Sequence, residues 1–148
     1  EAEGLGLMHA ARALGGIAGV FALTAAGLFR NQGRFLMVTL FAFGLTVLLV
    51  GFAPTFTLAI AALILLAAVG AVYDVLTQSV MQRIVANHLR GRAMGTWVFV
   101  IGIEPLGHIQ IGALAAVVGV GLALQFNGVL LLLVVMAALL AAPRLRQL

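Results

Sequence analysis

Four ionisable side chains fall inside long apolar stretches of this chain: Arg12, Asp74, Glu104 and His108. A charge at the centre of a membrane-spanning helix costs about 2.5–3.5 kcal/mol on insertion scales, so each such group needs a counter-charge, water or a task. Glu104 and His108 stand at helical i, i+4 spacing, which puts a carboxylate and an imidazole on one face. In a partly dehydrated cavity such a pair can take up and release protons near neutral pH. Pro105, directly after Glu104, removes a backbone N–H in mid-span and is expected to kink its helix there.

These groups have to be held by membrane-spanning helices. The chain has 148 residues, 64% of them hydrophobic and 8% charged, with a mean hydropathy of +1.25, outside the range of ordinary water-soluble domains. Five stretches reach the ~20 mostly apolar residues that a hydrocarbon core requires. They run over about residues 5–29, 35–53, 55–79, 94–118 and 121–142. Backbone groups in lipid need internal partners, so each stretch is expected to be helical and the fold class is an all-α membrane bundle. Asn31-Gln32-Gly33, Pro54 and Gly119-Val120-Gly121 mark turns between them. Gly15 with Gly19, and Gly91 with Gly95, are small-residue pairs expected to let helices approach closely.

Charge gives the orientation. All the arginines except Arg12 fall into three clusters, Arg30 with Arg34, Arg83 with Arg90 and Arg92, and Arg144 with Arg146, while the intervening connections are uncharged. Keeping basic residues on the cytoplasmic side puts the C-terminus inside and the N-terminus outside. The pI of about 11.5 comes from short turns rather than from a broad basic face, which argues against nucleic acid as a partner. There is no cysteine, and His9, His88 and His108 are too scattered to read as a metal site; no cofactor is expected. An odd span count with an outward N-terminus, and Glu1 preceded by no initiating Met or leader, leads to the expectation of a fragment of a longer polytopic protein.

Depth along the spans follows from the ~1.5 Å rise per residue. Arg12 is expected ~12 Å below the outer face and Glu104 ~15 Å from the inner one, nearly level in a ~30 Å core, so the two are expected to be counter-charges. Asp74 is expected near the inner interface, as a salt-bridge or gating partner of Arg83, Arg90 or Arg92, with Tyr73, Thr77 and Gln78 beside it in a polar stripe. Trp97 reads as an interfacial anchor. The residues alone admit two readings of the Arg12, Glu104 and His108 group: a static polar knot that orients helices, or part of a transport path.

From Gln82 to Gly119 the chain resembles the tenth and eleventh spans of bacterial major facilitator superfamily exporters, in the branch of enterobactin-exporter-like and macrolide-efflux-like permeases. The resemblance rests on Gln82, Val85-Ala86, Arg90-Gly91-Arg92, Pro105-Leu106-Gly107 and Gly112-Ala113-Leu114-Ala115. Ala86 stands where that branch has Pro, and the basic loop Leu28-Phe29-Arg30-Asn31-Gln32-Gly33-Arg34 lacks its Asp. The resemblance implies that the five spans are helices eight to twelve of a twelve-helix transporter in the bacterial cytoplasmic membrane. It also implies an N-terminal half as partner, a small-molecule substrate near the midplane, protons as the coupling ion and repeat-equivalence of the helices carrying Arg12 and Glu104. On this reading Glu104, His108 and Arg12 form the proton or substrate path, and Asp74, Arg83, Arg90 and Arg92 the cytoplasmic gate. Two other readings compete with the transporter: an intramembrane acid-base enzyme acting on a lipid-like substrate, and a non-transporting assembly subunit. The enzyme lacks a nucleophile constellation, because Ser79 is the single serine and there is no cysteine.

Overall fold

The computed structural model describes residues 2–26 and 32–141. It contains five long helices: α1 (Ala2–Ala26), α2 (Gln32–Gly51), α3 (Phe56–Ile84), α4 (Arg90–Val118) and α5 (Val120–Ala141), with a 3₁₀ turn at Asn87–Leu89 between α3 and α4. All five are long and apolar enough to cross a membrane. Large apolar side chains such as Phe21, Phe99, Val117 and Leu140 stay exposed on their outer faces, as befits helices whose surroundings are lipid or further helices. The expected turn at residues 31–33 lies partly outside the described residues, as do Arg30, Arg144 and Arg146; Gln32 and Gly33 already belong to α2.

Local chemistry sets the boundaries. Thr55 caps α3 by accepting the Leu58 amide at 3.4 Å, just after Pro54, which ends the α2–α3 connection. Gly119 separates α4 from α5 as a single residue at φ +87°, a conformation that L side chains rarely adopt. α3 and α4 outrun their apolar cores: α3 continues past Ser79 to Ile84, and α4 begins at Arg90 rather than Met94. Each has 29 residues against 20 for α2, so each is about 13 Å longer than α2. α4 runs through Pro105 as a continuous helix, although the ring leaves the Ile101 carbonyl without its ladder donor.

The helices pack in the order α1, α3, α2, α5, α4. On α1, Ala11, Gly15, Gly19 and Leu23 form one buried stripe at i, i+4 spacing, and the two glycines press directly on the backbone of α3 at Ile64 and Ala68. The parallel register, Gly15 to Ile64 and Gly19 to Ala68, is the one required of two helices separated by a single antiparallel neighbour. The expected Gly91 and Gly95 contact is not made: nothing lies within 4 Å of where a Cβ would stand at either position. Among the described residues α4 packs chiefly on α5 and the 3₁₀ turn, and no helix lies against those glycines at its start.

α2 lies antiparallel to α5, with Gly44 against Leu132, Leu48 against Gly128 and Gly51 against Gly121 and Gln125. Buried Thr39 and Thr46 satisfy their hydroxyls within α2, donating to the Phe35 and Phe43 carbonyls, each at 2.8 Å. At the far end of this pair the Gln125 Nε2 donates to the Gly51 carbonyl at 3.0 Å, one of the orphan acceptors left where α2 stops. Gln125→Leu keeps the volume and removes this bond between α2 and α5. It is expected to lower stability in detergent unfolding by about 1 kcal/mol, the usual net worth of such a bond.

Candidate functional site

The connection and the helix directions bring Arg34 at the start of α2, Arg83 at the end of α3, and Arg90 and Arg92 at the start of α4 to one end of the bundle. Arg12 is the described arginine away from that end. From the arginine end one stripe runs inward on each of α3 and α4. On α3 the stripe is Val85, Met81, Gln78 and Asp74; on α4 it is Arg90, Met94, Trp97, Ile101, Glu104 and His108, all at helical spacing. They start at a half-open concavity of about 210 Å³ in the elbow between the helices, lined by Met81, Gln82, Val85, Arg90, Ala93 and Met94.

Along the stripes Asp74 lies ten residues from the end of α3 and Glu104 fourteen from the start of α4, about 15 and 21 Å from the elbow. His108 Nε2 stands 4.0 Å from Glu104 Oε1, and the side chains are 65% and 61% exposed. That separation permits a charge contact but exceeds a hydrogen bond, so the pair is loosely held and open to a third group. Asp74 is anchored through its neighbours: Tyr73 stacks on Phe43 of α2 with centroids 6.4 Å apart, and the Thr77 hydroxyl donates to the Tyr73 carbonyl at 2.8 Å.

Arg12 is not brought to Glu104. It occupies the exposed position beside buried Ala11, and the contact register of α1 on α3 sets it level with about Ala61. Glu104, counted from the elbow, is level with about Gly70, so the two groups differ in depth by about 13 Å. Counting from apolar boundaries overlooked how far α3 extends beyond α1. For the same reason Asp74 stands further from the elbow than its apolar context implied, about 15 Å from the end of α3. Among the described residues it forms no ion pair with Arg83, Arg90 or Arg92, and the one ionic contact is Glu104 with His108. The groups His9, His88, Asp74, Glu104 and His108 assemble no cluster able to hold a metal ion among the described residues.

Fold and site together define an all-α helical protein of the multi-pass membrane type, with Asp74 on one long span and Glu104 and His108 exposed on the next. No protein-family model, curated protein or solved structure matches the chain.

Proposed function

We propose that this chain is the C-terminal part of a secondary-active transporter of the major facilitator type, a proton-coupled small-molecule exporter working by alternating access. Its helices α1 to α5 would be the eighth to twelfth of twelve, in a bacterial cytoplasmic membrane with the C-terminus inside and an N-terminal half completing the cavity. The observation that carries the reading is that Asp74 on α3 and Glu104 with His108 on α4 stand along the two arms of one elbow, with no arginine in contact with either acid among the described residues. A static knot would neutralise its charges, whereas two carboxylates and a loosely held imidazole form a set that gains from binding a proton or a cation.

In this reading Glu104 exchanges the coupling proton, His108 relays it and Asp74 sets the field in which it moves. Arg83, Arg90 and Arg92 gate the elbow at the cytoplasmic end. Pro105 gives α4 a place to bend between Glu104 and the elbow. Arg12, standing apart, is a contact for substrate rather than the counter-charge of Glu104. Glu104→Gln in the full-length protein, reconstituted in vesicles, is expected to cut transport driven by a pH gradient about a hundredfold, at the low end for loss of a proton-transferring group. Helicity should be unchanged. Transport that stays coupled to the gradient in the variant removes Glu104 from the mechanism.

A further inference from the structure

The concavity at the elbow has an apolar lining that the transport reading, which draws on Arg90 alone among its residues, does not use. One wall is α3 and its end, with Met81, Gln82 and Val85; the other is the first turn of α4, with Arg90, Ala93 and Met94. It is therefore an apolar cup with one amide and one guanidinium at its rim. Arg83, His88 and Arg92 flank it in sequence, and no Asp or Glu occurs between Asp74 and Glu104. Among the described residues none of these arginines has a carboxylate partner. α3 and α4 span about 43 Å each, against a hydrocarbon core of ~30 Å, so their joined ends stand in the headgroup layer. From Arg90 the α4 stripe continues through Met94 and Ile101, and exposed Val98 lies beside it.

We propose that this elbow binds an anionic phospholipid of the leaflet at the arginine end. Its phosphodiester sits against the Arg90 guanidinium and the Gln82 amide, and its acyl chains lie over Met94 and the exposed apolar face of α4. Three features favour a lipid over a free anion. The cup is lined by thioethers and aliphatic groups as well as by charge, it opens at headgroup depth, and an apolar track leads away from it. The site shares Arg90 with the proposed gate, but it is tested by binding and not by flux, so it can fail or stand independently of transport.

The test uses the chain in detergent micelles, titrated with phosphatidylglycerol or phosphatidylcholine and read by native mass spectrometry as lipid retained. Retention of phosphatidylglycerol over phosphatidylcholine is expected, and Arg90→Gln should weaken it about fivefold, the effect of one basic residue near a membrane surface. Arg34→Gln removes the same charge from α2, outside the cup, and should leave retention as it was. Gln82→Glu places a carboxylate in the same wall, should weaken retention comparably to Arg90→Gln, and carries the test should Arg90→Gln lose helicity by circular dichroism. Equal retention of the two lipids overturns the proposal, as does an Arg34→Gln effect as large as that of Arg90→Gln. Displacement of the lipid by an equal concentration of inorganic phosphate also overturns it, assigning the cup to a free anion.

Discussion

Gly19→Ala is expected to destabilise the bundle by about 2 kcal/mol, although the same change in an unpacked helix stabilises by up to about 1 kcal/mol. A Cβ at position 19 would fall on the backbone of Ala68, and one at position 15 on the Ile64 carbonyl. Neither neighbour is a side chain that can rotate away. α1 must therefore lift off α3, loosening the contact that Ala11 and Leu23 also serve. Overpacking of this kind costs about 1–3 kcal/mol and exceeds the propensity gain. Gly16→Ala is the internal control: its nearest neighbour is the Ala71 Cβ at 3.9 Å, an ordinary contact. Gly95→Ala meets nothing within 4 Å, so both controls should be neutral or slightly stabilising. Unfolding in mixed micelles, followed by far-ultraviolet circular dichroism, measures all of them. Equal stability of the position 16 and position 19 variants would show that the α1–α3 approach is not close.

This contrast among glycines shows what was legible in the sequence. Spans, turns and small-residue spacing depend on local composition, and a membrane reduces the backbone's choices to helix, so five helices could be read directly. Whether a glycine pair is used depends on which helix stands opposite. Gly15 and Gly19 face α3, whereas Gly91 and Gly95 face open space, and their spacing is identical. Helix length was misjudged for a related reason. Hydropathy falls where Gln78, Gln82 and Arg83 begin, but hydrogen bonding does not, and α3 carries on to Ile84. Five residues of unread helix set Asp74 about 7 Å further from the elbow. Glu104 with His108 was legible because i, i+4 spacing is a property of one helix. Which helix packs on which was not, because it depends on how α3 and α4 leave their shared elbow.

Two acids on the arms of one elbow, Asp74 and Glu104, make a charge reversal informative. Glu104→Lys sets an ammonium opposite Asp74, turning two like charges into a pair, and the variant is expected to be at least as stable as Glu104→Gln. Adding Asp74→Asn to Glu104→Lys then strips the ammonium of its counter-charge, and the double variant should lose about 2.5–3.5 kcal/mol, the cost of a lone charge in mid-span. Asp74→Asn alone relieves repulsion and should not destabilise. The cycle is therefore strongly non-additive, as only neighbouring groups are. Arg12→Gln in the Glu104→Lys background should add independently, given the depth difference of about 13 Å between α1 and α4 at these positions. Function is expected to move opposite to stability: the attractive pair ties α3 to α4 and leaves no exchangeable proton at position 104, so the most stable variant should be inactive in gradient-driven transport. An additive cycle would separate Asp74 from Glu104 and dissolve the site. Non-additivity with transport intact would instead leave the pair standing as a structural contact and remove its role in coupling.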